Sequence, residues 1–164
     1  MNQEQLDRFV QEFAEVVRTT ANSNEELEPA IVPFNLSGDG PRPIKDISVI
    51  PLGGMMSLCK DSMRFAVHTT LEVAKSDGYL FMTEAWMSAM QPGETAADAV
   101  NLPPSKRENR VTILKVTGRL RSGLFVTFVC EASNVVGDRF TKPFEKFDNE
   151  ESGRFANFFD KEPA

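Results

Sequence analysis

Hydrophobic residues recur every three to four positions through the first twenty residues. This spacing places them on one side of an α-helix and leaves the charged residues on the other. The predicted apolar side consists of Leu6, Phe9, Val10, Phe13, Val16 and Val17. Asn2 and Gln5 have the spacing of a capping box, which satisfies the first free amides of a helix. The pattern therefore predicts an amphipathic helix over residues 3–20.

The helical period returns over residues 55–76. The predicted apolar stripe consists of Met56, Cys59, Met63, Ala66, Val67, Thr70, Leu71 and Ala74. The opposite, charged stripe consists of Asp61, Arg64, His68, Glu72 and Lys75. Asp77-Gly78 is typical of a helix end, because glycine readily adopts the backbone conformation that follows a last turn. We therefore expect a long central helix.

Several other segments have the composition or the two-residue period of β-strands. They are residues 30–36, 44–50, 79–88, 109–120, 124–132 and 135–141. Ser122-Gly123 has the composition of a hairpin turn. Pro33 has no backbone donor for a ladder, so we expect its strand to lie at a sheet edge.

The order of these elements predicts an α+β fold. Strands and helices do not alternate along the chain, which disfavours a doubly wound parallel sheet. We expect the N-terminal amphipathic helix and the central helix to pack on a mostly antiparallel sheet that ends in a β-meander. Pro143 ends the strand-like pattern, and a short C-terminal helix is predicted to follow. The predicted organisation is one domain over residues 1–147 and a Phe-rich helical segment over residues 148–164.

Composition and charge exclude several classes of protein. With 41% hydrophobic and 26% charged residues, the 164-residue chain is neither collagen-like nor wholly disordered. Its net charge of −6 disfavours bulk attraction to nucleic acid or anionic lipid. The N-terminus does not resemble a secretory signal, and no apolar run approaches the ~18–20 residues that cross a bilayer. We therefore expect a cytoplasmic protein with no membrane partner.

Residue types for nucleophilic or metal chemistry are scarce. His68 is the sole histidine, so any Ser-His or Cys-His mechanism must use it. It is either a general base or a ligand held by Glu72, or a solvated residue on the charged stripe. With Cys59 and Cys130 it supplies fewer than the roughly four ligands of a zinc site. We expect two reduced, buried cysteines, no metal, no cofactor and no assembled catalytic set.

A polar site is predicted where the strand of residues 79–88 meets the next one. Alternation places Glu84 and Trp86 on one face among large apolar residues, so the carboxylate needs a cationic partner. Arg107 and Arg110 precede the neighbouring strand and could supply it. The candidate binding residues are Glu84, Trp86, Arg107, Glu108 and Arg110. The alternative is a purely structural ion pair at the sheet end.

The same residues carry a resemblance. The run Thr83-Glu84-Ala85-Trp86-Met87, followed by Pro104-x-x-Arg107-Glu108, is similar to a family of uncharacterised bacterial and phage-borne proteins. The similarity covers residues 79–118. It implies no activity, and it implies that this junction is more than a generic connection.

Basic residues are concentrated in the hairpin of residues 106–121. The bases are Lys106, Arg107, Arg110, Lys115, Arg119 and Arg121. Such a hairpin could follow a phosphate backbone, or it could meet the acidic N-terminal helix of its own or a neighbouring chain. The negative net charge and the lack of interleaved stacking aromatics favour the second alternative.

Phenylalanine is concentrated near the C-terminus. The candidate interface residues are Phe144, Phe147, Phe155, Phe158 and Phe159. A free tail would not keep so many aromatic rings in water, so it docks either on its own sheet or on a partner chain.

These patterns favour a non-enzymatic, self-associating protein-interaction module, a homo-oligomer or the partner of another protein. The first alternative is a ligand-binding protein or an enzyme with a polar site at the Glu84/Arg107 junction. The second is a nucleic-acid accessory protein that uses the basic hairpin.

Overall fold

The computed structural model describes residues 1–23, 27–38, 40, 43–55, 59–89, 91–133, 137–147 and 157–160, except for the side chains of residues 96, 99 and 100. The helices are Gln3–Ser23 (α1), Lys60–Val73 (α2) and Ala96–Asn101 (α3), with 3-10 turns at Gly53–Met55 and Pro104–Lys106. The strands are Ala30–Leu36 (β1), Ile44–Lys45 (β2), Ile50–Pro51 (β3), Gly78–Met87 (β4), Val111–Leu120 (β5), Phe125–Glu131 (β6) and Glu145–Phe147 (β7).

The strands form one antiparallel sheet, and the α+β prediction is confirmed. Its order is β2-β1-β4-β5-β6-β7, and β3 pairs with β1 beside β2. The two longest strands pair over their whole length, from Gly78 opposite Leu120 to Met87 opposite Val111. The predicted turn at Ser122-Gly123 joins β5 to β6, and Gly123 has the positive φ of 101° that this hairpin requires.

Helix α1 covers one face of the sheet, which we call the α1 face, by crossing β5 and β6. Its fully buried Leu6, Val10 and Ala14 recur at the spacing expected of one helix side. They pack on Leu80 of β4 and Leu114 of β5, within the larger of two apolar clusters. The N-terminal amphipathic helix thus supplies one wall of the main core.

Helix α2 covers part of the opposite face, which we call the α2 face. Met63, Val67 and Leu71 point at the sheet and join Tyr79 and Phe81 of β4 in the second cluster. The expected helix over residues 55–76 is too long at both ends, and its stripe is only partly right. Cys59, predicted buried, is exposed directly before α2. Thr70 on the helix and Ala74 just after it are exposed as well. The predicted stripe member Met56 lies outside the described residues.

Strand β1 is not the sheet edge that Pro33 predicts. It pairs with β4 on one side and with β2 and β3 on the other. Pro33 lies between the segments that pair with β2 and β3, and its carbonyl accepts a bond from the Ser48 amide at 3.3 Å. The missing amide therefore faces the gap between two short outer strands, where no ladder bond is lost.

The last strand also differs from its prediction. Residues 137–141, part of the expected strand over 135–141, carry no strand, whereas β7 forms after Pro143. The reason is the buried Phe140, which joins the α1 core. Asn22 of α1 bonds both backbone groups of Phe140, at 2.9 and 3.1 Å, and so ties this segment to the helix.

The expected C-terminal helix lies mostly outside the described residues. Residues 157–160 form a turn on the α2 face, where Phe158 is fully buried against Tyr79 and Phe81. The division into a domain over residues 1–147 and a segment over residues 148–164 stays a prediction.

Candidate functional site

Glu84 does not meet Arg107 or Arg110. It lies on the α1 face of β4, where its carboxylate accepts two bonds from the guanidinium of Arg139, at 2.6 and 3.0 Å. It also accepts the backbone amide of Leu27 at 3.1 Å. Arg139 reaches Glu84 because the adjacent Phe140 is buried under α1. Glu84 thus connects β4 to the segments that carry Leu27 and Arg139. This role corresponds to the alternative of a purely structural ion pair.

Arg107 instead pairs with Glu94, inside the long connection between β4 and β5. This connection, residues 88–110, is far longer than the about two to five residues that join strands in an ordinary hairpin. The two guanidinium termini of Arg107 bond the two carboxylate oxygens of Glu94, and Nε donates to the Leu102 carbonyl at 2.7 Å. Arg107 is 7% exposed, so the pair lies inside the folded connection.

Helix α3 also stabilises this connection. Thr95 and Asp98 form a capping box in which each side chain bonds the other residue's backbone amide. The backbone amide and the hydroxyl of Thr95 both donate to the Asp98 carboxylate, and they lower its pKa. Arg107, followed by the Gln91 amide, lowers the pKa of Glu94. Both carboxylates are therefore held in their charged form.

We expect the connection to loosen in acid. Because folding lowers the pKa of Glu94, the Arg107 pair stabilises the fold above the unfolded value of about 4.3 and is lost as pH falls through the lower folded pKa. Relative to the intrinsic rate at the same pH, hydrogen exchange of the Arg107 amide should therefore accelerate in this acid range. Glu94→Gln should accelerate it already at neutral pH, whereas Glu4→Gln, at an exposed Arg8 pair, should not. Equal exchange in all three proteins would contradict this role.

Trp86 and Arg110 are the two predicted site residues that the structure brings together. The Arg110 guanidinium lies 4.7 Å from the centre of the Trp86 ring, in a cation–π contact, and also donates to the Ser105 carbonyl. Trp86 remains 51% exposed despite this contact. Glu108 is exposed on the turn just before Arg110.

A recess of about 270 Å³ opens beside Trp86. Strands β4 to β7 and the turn at Pro104 form its walls. The lining residues are Ala85, Trp86, Met87, Ser88, Pro104, Ile113, Lys115, Thr127, Val129 and Phe147. The lining is mostly apolar, with one cationic side chain and two hydroxyls. We call Trp86, Arg110 and this recess the Trp86 surface.

The candidate interface phenylalanines do not form one surface. Phe144 packs against the α1 core and lies under Arg18, whereas Phe147 lines the recess on the α2 face. Phe158 is buried, and Phe159 contacts Tyr79. Phe155 lies outside the described residues.

The six bases of the 106–121 hairpin are also dispersed. Lys106 is exposed at the end of the 3-10 turn. Arg107 and Arg110 are engaged within the β4–β5 connection, and Lys115 lines the recess. Arg119 is buried over the ring of Phe125, and Arg121 pairs with Glu72 of α2 at 2.6 Å. The acidic α1 helix is met instead by Lys146 of β7, which bonds Asp7 at 2.6 Å. The hairpin thus presents no continuous basic stripe.

His68 has a role that neither sequence alternative anticipated. Its Nδ1 lies 3.1 Å from the carbonyl oxygen of Phe158, so it contacts the C-terminal turn. The neighbouring Arg64, predicted on the charged stripe, is 3% exposed and donates to the Asn157 carbonyl at 3.0 Å. The prediction that both residues lie on one exposed face of the helix was therefore wrong.

The described residues give no support to a metal site or a membrane-spanning helix. Within the described ranges, no group of three or more His, Cys, Asp or Glu side chains is placed to hold a metal ion. None of the described helices is long and apolar enough to cross a membrane. Comparisons with family models, curated proteins and solved structures gave no match.

Proposed function

We propose that this protein is a non-enzymatic, self-associating interaction module of the cytoplasm, and that two copies meet through the Trp86 surface. The observation that carries the proposal is a half-exposed tryptophan, with an arginine stacked on it, beside an apolar recess. Tryptophan and arginine are the residue types that most often dominate the energetics of protein interfaces.

The position of Trp86 beside the recess favours a second copy as the partner. A twofold contact brings the same patch of two chains together, so the patch must be complementary to itself. Trp86 is half-exposed at the end of β4, and it also lines the edge of the recess. One rotation can therefore bring the Trp86 surfaces of two copies into contact.

The size and lining of the recess support a protein partner over a small substrate. Ligand pockets generally measure about 300–1,000 Å³ and contain several convergent polar groups. This recess is smaller, at about 270 Å³, and its lining is mostly apolar. The two strongest polar groups predicted for a ligand site, Glu84 and Arg107, are bonded to Arg139 and Glu94. The ligand-binding alternative is therefore less well supported.

The connection that presents Arg110 also favours binding. Its Glu94–Arg107 pair and capping box fix its shape before any partner arrives. A pre-organised surface loses less conformational entropy on association than a mobile one does. The dispersed bases give the nucleic-acid alternative less support than the sequence did.

Solution mass as a function of concentration tests the proposal. The wild-type chain should reach the mass of a dimer, and Trp86→Ala should raise the dimer dissociation constant about thirtyfold or more, which corresponds to about 2 kcal/mol. The control is Phe65→Ala on α2, because Phe65 is 62% exposed and lies outside the Trp86 surface. A wild-type chain that stays monomeric throughout, or equal weakening by the control, would refute the proposal.

A further inference from the structure

The C-terminal turn is held on the α2 face much as a bound peptide would be. Side chains of the domain, rather than a neighbouring strand, bond its backbone. Arg64 donates to the carbonyl of Asn157 at 3.0 Å, and the amide of Phe158 donates to the hydroxyl of Tyr79 at 3.1 Å. His68 lies at hydrogen-bond distance from the Phe158 carbonyl. These contacts therefore involve main-chain groups that any peptide carries.

Two aromatic subsites add selectivity to these backbone contacts. The fully buried ring of Phe158 meets Tyr79 and Phe81 edge-to-face, with ring centres 5.6 and 5.4 Å apart. The ring of Phe159 lies 5.2 Å from that of Tyr79 and 4.5 Å from the guanidinium of Arg121. Adjacent aromatic pairs of this kind add to the energy of burial. The slot therefore matches two successive aromatic side chains.

The turn also supports its own shape. The side-chain oxygen of Asn157 accepts the Phe159 amide at 3.0 Å, and its amide group donates to Asp160 at 2.9 Å. Such local bonds hold a turn without help from distant residues. A short peptide with the same four residues carries the same bonds, and this lowers the entropy cost of binding.

We propose that the slot between α2 and β4 is a peptide-binding site, occupied in cis by residues 157–160 and able to accept the same turn from a second copy of this chain. The sequence that satisfies every subsite is the chain's own Asn-Phe-Phe-Asp, which identifies the occupant. The slot lies beside Tyr79, away from the Trp86 recess, so this inference is independent of the proposed function.

Binding of a labelled peptide tests the slot. The peptide spans residues 154–161, and the host is the full chain carrying Phe158→Ala and Phe159→Ala. The emptied host should bind at least tenfold more tightly than wild type, in which the tethered turn competes at an effective concentration of about millimolar. Adding Arg64→Ala to the host, or alanine at both peptide phenylalanines, should abolish binding. Equal binding by host and wild type, or no effect of these controls, would overturn the proposal.

A second measurement uses the wild-type chain and so does not depend on a variant that folds. Excess unlabelled peptide should displace the tethered turn and accelerate hydrogen exchange at the Phe158 amide, while core amides of β5 keep their protection. Unchanged exchange at millimolar peptide would count against an exchangeable slot.

Mixing two full-length variants tests exchange between copies. Both carry Trp86→Ala, which removes the other proposed contact. One also carries Phe158→Ala and Phe159→Ala, which weaken its turn. The other also carries Arg64→Ala and His68→Ala, which weaken its slot. The intact turn of the second should occupy the intact slot of the first and give a one-to-one complex, with each variant monomeric alone. A mixture that stays monomeric would refute exchange while leaving the Trp86 surface untouched.

Discussion

Replacing Phe158 with alanine is expected to destabilise the protein more than alanine at any other residue of the described C-terminal turn, residues 157–160. Its ring is fully buried, and loss of such a ring costs about 3 kcal/mol or more. For a chain of this size, that loss corresponds to a fall in melting temperature of roughly 6–12 °C. The loss cannot exceed the free energy with which the turn docks, because a weakened turn can detach while the sheet stays folded.

Two other phenylalanine substitutions serve as controls for Phe158→Ala. Phe159→Ala removes a partly exposed ring and should lower the melting temperature less. Phe65→Ala removes a ring that is 62% exposed and should change it little. If Phe158→Ala has the same melting temperature as the wild-type protein, the turn contributes nothing to the stability of the fold, and the cis contact has no energetic basis.

Gly118→Ala is the second substitution with a large expected effect. Gly118 lies on the α1 face of β5, and a Cβ atom there would overlap the Cγ2 methyl of Val10 in α1. Valine has little rotamer freedom in a helix, so α1 itself must shift to make room. We expect a loss of about 1–3 kcal/mol in the free energy of unfolding, as is typical of overpacked cores.

Gly54→Ala is the matched control, because a Cβ atom at Gly54 has no neighbour within 4 Å. It should be neutral or slightly stabilising, since alanine restricts the unfolded chain. Chemical denaturation of both variants measures the difference. Equal stability would mean that α1 does not press on β5 as closely as these contacts require.

Sequence periodicity was sufficient where an element is long and one-sided. The predicted helix over residues 3–20 and the hairpin of β5 and β6 are both observed, with α1 three residues longer at its C-terminal end. Val16, predicted on the apolar side of the helix, is 62% exposed. In each, one face is buried continuously, so the hydrophobic period is regular and only a single register buries it. The turn at Gly123 carries its own local signal.

Sequence could not supply the pairing of charged residues. The adjacency of their strands predicts Arg107 or Arg110 as the partner of Glu84, yet Arg107 bonds Glu94 within its own connection. Glu84 bonds Arg139, which is distant in sequence and arrives only because Phe140 is buried under α1. A carboxylate gives no local indication of which of several arginines will reach it, since that depends on tertiary packing.

The candidate site was therefore predicted only in part. Trp86 and Arg110 were identified from their position at the end of two strands, and they do make contact. The recess beside them joins residues from four strands and a turn, and no local pattern predicts such a combination. The side chains of α2 that hold the C-terminal turn were assigned to a solvated face, because the turn that covers them is remote in sequence.

The fluorescence emission of Trp86 on dilution shows directly whether two copies meet at this surface. It is the only tryptophan, so its fluorescence reports on this surface alone. If two copies meet here, the ring passes from a buried interface to water as the dimer dissociates. Its emission should shift to longer wavelength over the same concentrations at which the mass halves. Emission that stays constant while the mass changes would contradict the claim, because it would mean that the copies associate through another surface.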